Sequence, residues 1–211
     1  MARTALVAGA SGLIGGYVLD RLLAEPRYGR VVSIGRRILD RQHAKLEQRI
    51  VDFDQLEDAS GLQADDVFCC LGTTIKKAGS QEAFRRVDYL YPLDLARTAR
   101  AQGADQFLIV TSLGADAGSS VFYSRVKGEV EQAIRALDYP TCYFLRPSLL
   151  LGERDEVRTG EQIAQAVMPA LRFLFVGPFK KYRPIHAERV AGAMVHLALH
   201  GPAGTYAVDS D

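Results

Sequence analysis

Short runs of apolar and β-branched residues alternate along this chain with longer stretches in which apolar positions recur every three or four residues. That order predicts strand, crossover helix and parallel strand in repetition, hence a doubly wound parallel sheet covered by helices on both faces. Strands are predicted at Thr4–Ala8, Arg30–Ile34, Glu47–Asp52, Asp66–Leu71, Gln106–Thr111 and Thr141–Leu145. Helices are predicted at Leu13–Ala24, Ser80–Gln102 and Ser120–Leu137. In the first helix Leu13, Tyr17, Leu22 and Leu23 keep one apolar face, and Pro26 stops it. The passage 35–46 is rich in Arg, Lys and Gln and reads either as a loop or as a short irregular helix.

Beyond Pro147 the alternation loosens. A polar stretch, Gly152–Glu156, leads to a predicted helix over Glu161–Phe173, a Gly/Pro/Lys segment, a helix over Ala187–Leu199 and a last strand around Tyr206–Val208. The apolar segment Ile163–Phe179 could cover a substrate pocket, meet a second copy, or pack in the core. No repeat or low-complexity linker interrupts the chain. Its 211 residues are therefore read as one domain, with 1–147 as a nucleotide-binding core and 148–211 as a small substrate-region extension. A domain of this size buries roughly 70% of its unfolded surface and needs no disulfide or metal staple.

Composition narrows the partners. With 26 Lys+Arg against 25 Asp+Glu the net charge is +1, which gives no electrostatic basis for a dedicated nucleic-acid binder. A small-molecule substrate is expected, and a second copy of the chain or a protein partner is left open. Cys69, Cys70 and Cys142 sit in apolar runs and read as small buried hydrophobes, which points to a reducing, cytoplasmic setting. The N-terminus breaks into glycines by position 9, too early for a signal peptide. The most apolar window, Met168–Phe179, is too short and too interrupted to cross a membrane.

The first strand runs into Gly9-Ala-Ser-Gly12-Leu-Ile-Gly15, which opens the first helix. In that setting glycines allow a tight turn and close approach of backbone N–H groups to a pyrophosphate, while the helix N-terminus adds partial positive charge. The pattern makes the sheet Rossmann-type. Gly9, Ser11, Gly12, Leu13, Ile14 and Gly15 are the candidate pyrophosphate residues. About twenty residues on, an NAD-selective site would hold an acid for the ribose 2′-hydroxyl. Here Gly35 stands in that place, followed by Arg36 and Arg37, whose planar guanidinium groups suit a 2′-phosphate. The expected cofactor is NADP(H). Asp52 and Phe53 after the third strand suit the adenine, although a turn or cap role explains Asp52 as well. Leu71, Gly72 and Thr73 after the fourth strand suit the rest of the cofactor.

Tyr123 and Lys127 stand at i and i+4, which places phenol and ammonium on one helix face. An ammonium beside the phenol favours phenolate and brings it toward proton exchange at neutral pH. Thr111 and Ser112 end the fifth strand, and either hydroxyl could polarise a carbonyl or simply satisfy local backbone. No metal site is expected. His196 and His200 have a ligand-like spacing but no accompanying carboxylate or cysteine, and a lone His186 before a helix reads as a packing or capping residue.

Taken together, the glycine turn, Cys69-Cys-Leu-Gly-Thr-Thr74, Thr111-Ser-Leu-Gly-Ala-Asp116, Tyr123 with Lys127, Gly128-Glu-Val-Glu131, Leu145-Arg-Pro-Ser148 and Arg183-Pro-Ile-His186 resemble the atypical short-chain dehydrogenase/reductases. The branch is that of the Tat-interacting oxidoreductase-like, nucleoside-diphosphate-sugar epimerase-like proteins. The resemblance implies Tyr123 as proton donor or acceptor, Lys127 as its activator and the holder of the nicotinamide ribose, and Thr111 or Ser112 as the polarising hydroxyl. It implies Pro147 and Ser148 near the nicotinamide. Asp88 stands where many relatives carry an Asn, and Ser112 precedes Tyr123 by only eleven residues. The expected activity is an NADPH-dependent oxidoreductase on a small carbonyl or alcohol. The alternative is an NADP(H)-sensing regulator with little turnover. Epimerisation fits less well, because only 64 residues follow Pro147.

Overall fold

The computed structural model describes residues 2–59, 61–151 and 183–210. Its elements run β1 (Arg3–Ala8), α1 (Leu13–Ala24), β2 (Tyr28–Gly35), β3 (Leu46–Ile50), a 3-10 turn (Phe53–Asp58), β4 (Asp66–Cys69), α2 (Ile75–Ala78) and α3 (Gln81–Arg85). A π turn (Arg86–Leu90) then leads into α4 (Tyr91–Ala101), β5 (Gln106–Val110), α5 (Phe122–Arg135), β6 (Thr141–Arg146), β7 (Leu150–Leu151), β8 (Ile185–His186), α6 (Ala187–His200) and β9 (Gly204–Asp209).

Seven strands form one parallel sheet in the order β3-β2-β1-β4-β5-β6-β9. Successive strand residues point to opposite faces, so the central runs are apolar throughout. Leu6, Val32, Val67, Phe107 and Phe144 bury one face under Leu93 and Ala96 of α4 and Val130 and Ile134 of α5. Val7, Val31, Phe68, Leu108 and Tyr143 bury the other under Val18 and Leu22 of α1 and Val190 and Met194 of α6. The strand order reverses at β1, whose neighbours are β2 and β4, and open sheets of this kind bind ligands in the crevice beyond the carboxyl ends at such a point.

The amino ends of the strands carry a polar cluster. Asp66 is fully buried at the start of β4 and accepts from Arg3 Nε at 2.7 Å, Tyr28 Oη at 2.6 Å and Gln106 Nε2 at 3.1 Å. Burial holds its carboxyl above the usual range, against the pull of Arg3 and Tyr28. That cluster explains why β2 starts two residues earlier than predicted, at Tyr28.

Several boundaries differ from the sequence pattern. Residues 36–45 are a loop, held where Gln48 of β3 accepts from Leu39 N (2.7 Å) and donates to Arg41 O (2.9 Å). The third strand stops at Ile50, because Asp52 turns aside to cap the 3-10 turn by accepting from Asp54 N at 3.0 Å. The predicted helix Ser80–Gln102 begins at the Ser80 cap but contains the π turn, whose extra residue rotates Asp88 into the interior. The sheet also draws on the chain beyond residue 147: β9 pairs with β6 from Thr141–Gly204 to Arg146–Asp209, and α6 packs on α1. The predicted helix Glu161–Phe173 and the apolar segment Ile163–Phe179 lie outside the described residues.

Candidate functional site

At the carboxyl end of β1 the chain turns through Gly9, whose φ of +87° lies in the left-handed region. A Cβ there would stand 2.6 Å from Cys70 O, and one on Gly15 would stand 2.1 Å from Gly9 O. The turn therefore exists only with glycine at both places, bringing bare backbone to the start of α1. Gly12 is the N-cap of α1, with no side-chain cap and no acid in the first turn. Ser11 is exposed beside it, Leu13 is half-buried and Ile14 is buried. An open cradle of N–H groups at an uncapped helix start fits a pyrophosphate.

The flanking positions follow the carboxyl ends of β2, β3 and β4. Gly35 ends β2, and Arg36 and Arg37 beyond it are exposed, with no hydrogen bond or ion pair to any described residue. Asp52 is exposed and caps the 3-10 turn; Phe53 is buried, with its ring 5.4 Å from that of Tyr91. Leu71, Gly72 and Thr73 follow β4, next to Gly9.

Lys127, 5% exposed, lies 2.6 Å from Oδ1 of Asp88, 1% exposed, while Oδ2 of Asp88 accepts from Thr73 N at 2.9 Å. Gly72 lies against the pair: a Cβ on it would be 3.3 Å from Asp88 Oδ1 and 3.8 Å from Lys127 Nζ. Burial works to lower the Lys127 ammonium, but Asp88 and Tyr123 outweigh it, and its pKa is raised. Lys127 stays charged. Tyr123, one turn earlier, is half-buried, and its ring packs 5.5 Å from Phe84.

The two hydroxyls that end β5 separate. Thr111 is buried and donates to Glu131 Oε1 at 2.6 Å; Glu131 in turn receives Arg146 Nε at 3.0 Å and Arg146 Nη2 at 2.5 Å. Ser112 is half-buried, and among the described residues its hydroxyl bonds to Leu113 O alone, at 3.3 Å. Pro147 is buried and its carbonyl accepts from Leu113 N, which joins the β5 and β6 ends. The Ser148 amide donates to Ser210 Oγ at 2.9 Å and its hydroxyl to Arg183 O. His186 is exposed and stands at the N-cap of α6 without a side-chain capping bond. His200 meets Arg27 Nη1 at 3.1 Å, and among the described residues no cluster could hold a metal.

Asp88, Glu131 and Arg146 stand in motifs visible in the sequence, but neither the bond of Asp88 to Lys127 nor the joint hold of Glu131 and Arg146 on Thr111 is visible there. The only available signal was a Glu four residues beyond Lys127, on the same helix face.

Comparison with known proteins places these features in a family. A model of the NAD dependent epimerase/dehydratase family matches residues 5–208. Protein HTATIP2 of Rattus norvegicus is 39% identical over 174 residues, covering 80% of this chain and 72% of that protein. The mitochondrial protein fmp52 of Emericella nidulans is 36% identical over 180 residues, 81% of this chain and 76% of its own. Among solved structures, MoeE5 in complex with UDP-glucose and NAD aligns with a TM-score of 0.72 at 19% identity, over 97% of this chain and 74% of that one. UDP-glucose 4-epimerase from Thermotoga maritima aligns with the same TM-score at 17% identity, over 98% and 77%. At those identities the structures show the Rossmann-like fold.

One expectation is corrected. Cysteine usage pointed to the cytoplasm, whereas fungal relatives from Emericella nidulans and Debaryomyces hansenii are named mitochondrial. The thiols carry no such address: Cys69, Cys70 and Cys142 are all free, and burial pushes Cys69 and Cys142 up to about 12 in any compartment. No described helix is long and apolar enough to cross a membrane. A family model spanning nearly the whole chain, a relative 39% identical and a seven-stranded parallel sheet with a glycine turn at its switch point agree: the chain belongs to the NAD dependent epimerase/dehydratase family.

Proposed function

We propose that the protein is an NADP(H)-dependent oxidoreductase acting on a small carbonyl or alcohol. The observation that carries this reading is a buried, charged Lys127 one turn from Tyr123, against the Gly72 loop, whose start at Leu71 adjoins the Gly9 turn. Gly9, Gly12 and Gly15 with the start of α1 would hold the pyrophosphate, and Arg36 and Arg37 the 2′-phosphate. A bound nicotinamide would exchange hydride with the substrate carbon. Tyr123 would give the substrate oxygen its proton during reduction and take it back during oxidation. Lys127 would favour the phenolate and hold the nicotinamide ribose. Ser112 is the better candidate for polarising the oxygen, since Thr111 is engaged by Glu131.

The test is loss of reduced nicotinamide absorbance across a panel of small aldehydes and ketones, with Tyr123→Phe as control. The expected result is turnover that Tyr123→Phe removes while NADPH affinity stays within about twofold. Undiminished turnover in that variant overturns the reading. A second reading, an NADP(H)-sensing regulator with little turnover, is favoured by the engagement of Lys127 with Asp88; it predicts tight binding and no consumption across the panel.

A further inference from the structure

We propose that Ser210 is a positioning residue for the nicotinamide half of the site: its hydroxyl fixes the peptide between Pro147 and Ser148 and, through that peptide, the loop that carries Ser112. The proposal rests on the reading of the crevice as a dinucleotide site and names a residue beyond it on which its chemical end depends.

Strand order says which half of a dinucleotide lies there. With the pyrophosphate at the Gly9 turn on β1 and its 2′-phosphate at Arg36 and Arg37 beyond β2, the adenosine half extends toward β2 and β3. The other half then runs across β4 toward the ends of β5 and β6, which lie two and three strands from β1, roughly 10–15 Å away at the usual strand spacing. Ser112 follows β5 and Pro147 follows β6.

The peptide joining Pro147 to Ser148 is gripped at both of its polar atoms. Pro147 O accepts from Leu113 N at 2.9 Å, and Ser148 N donates to Ser210 Oγ at 2.9 Å. A planar unit held at its oxygen and at its nitrogen cannot tip. Gly204 N donates to Pro140 O where β9 begins to pair with β6, and the rungs of that ladder recur at every second residue. The pairing ends at Arg146 and Asp209, and the next rung in the series would run from Ser148 N to the backbone of Ser210. The Ser210 side chain takes that rung instead, while the hydroxyl of Ser148 donates to Arg183 O. Leu113, held by Pro147 O, follows Ser112 and accepts its hydroxyl. A continuous hydrogen-bonded line therefore runs from the end of β9 to the candidate polarising hydroxyl. Without the Ser210 hydroxyl, the Ser148 N–H is left to water and the line loses its outer anchor.

The experiment is a pair of titrations of the full chain, one with NADPH followed by its own fluorescence and one with 2′,5′-ADP followed by calorimetry. The emission of bound NADPH reports the surroundings of the reduced nicotinamide, whereas 2′,5′-ADP carries the adenosine half alone. Ser210→Ala is expected to weaken NADPH at least about threefold, to move the saturated emission toward that of free NADPH, and to leave 2′,5′-ADP within about 1.5-fold. Ser210→Thr keeps the hydroxyl and is expected to stay within about twofold of the parent for both ligands. If Ser210→Ala does not fold, Ser210→Cys, whose sulfur is a weaker acceptor, is held to the same outcomes. Equal weakening of the two ligands, as a general structural role would give, overturns the proposal, as does a Ser210→Thr no better than Ser210→Ala. A parent that binds both ligands beside a Ser210→Ala with unchanged affinity and emission overturns the proposal alone; a parent that binds neither overturns the dinucleotide reading and the proposal together.

Discussion

Thr111 gives its hydroxyl to Glu131 at 2.6 Å, and that bond sets it apart from the adjacent Ser112, whose hydroxyl meets no side chain among the described residues. Glu131 is 2% exposed and also receives Arg146 through two guanidinium nitrogens. The result is a brace between β5, β6 and α5 directly behind Ser112 and Pro147. Glu131→Gln leaves Arg146 without its counter-charge; because Arg146 is partly solvated, the expected cost is about 2 kcal/mol, below that of breaking a fully buried pair. Thr111→Val removes the hydroxyl that reaches Glu131 Oε1 at 2.6 Å and Leu145 O at 3.4 Å, and is expected to cost about 1–2 kcal/mol. Urea unfolding of the two variants checks both, and a Glu131→Gln variant as stable as the parent refutes the brace.

Cofactor choice is testable at the end of β2. Arg36 and Arg37 are exposed with no partner among the described residues, so replacing both with Ala should leave the fold intact. The double variant is expected to weaken NADPH at least about tenfold, or about 1.4 kcal/mol, and to leave NADH within about twofold. Calorimetric titration with each nucleotide separates the outcomes; equal losses for both would remove these arginines from the 2′-phosphate site.

Gly128 lies under the loop that carries Ser112 toward α5. A Cβ at that position would stand 2.1 Å from Ala117 N and 2.2 Å from Asp116 C, backbone atoms that cannot step aside singly. Gly128→Ala is therefore expected to cost about 1–3 kcal/mol despite the better helix propensity of Ala, and to lower turnover by shifting the loop. Gly118→Ala is the control: its nearest neighbour is Asp116 Oδ1 at 3.5 Å, and it should change stability by no more than about 0.5 kcal/mol. Thermal unfolding of the pair measures the contrast.

Buried thiols give the protein a one-sided alkaline limit. Burial pushes Cys69 and Cys142 up to about 12, while in the unfolded chain a thiol ionises near its ordinary value of 9.0. The native state therefore holds protons that the unfolded state releases, so the contribution of these thiols to stability is full below pH 9 and declines as pH rises from there toward 12. Unfolding free energy measured across that interval should fall for the parent and fall less for Cys69→Ala. Native protein should also resist iodoacetamide at neutral pH at Cys69 and Cys142, as mass spectrometry can establish.

Much of this architecture was legible in local pattern. Alternating runs such as Leu6-Val-Ala8 and Val31-Val-Ser-Ile34 announce parallel strands, and Gly9 to Gly15 announces the nucleotide end, because strand burial and tight turns are decided by neighbours in the chain. The π turn was not legible: a helical reading of Ser80–Gln102 assumes a constant 3.6-residue period, which points Asp88 elsewhere. Nor were its bond to Lys127 or the union of Thr111, Glu131 and Arg146, since those residues are brought together by the crossover of α5 over the sheet and share no local period.

The knot at Asp66 gives the molecule a quiet end. One carboxylate fastens the amino ends of β1, β2, β4 and β5 to one another through Arg3, Tyr28 and Gln106, and Gln106 also donates to Ala198 O at 3.0 Å and so moors the last turn of α6. Strand alignment is thereby secured at the pole farthest from the crevice. The loops at the opposite pole are released from that duty, and can be lengthened, shortened or re-lettered for a different substrate while the sheet beneath them stays in step.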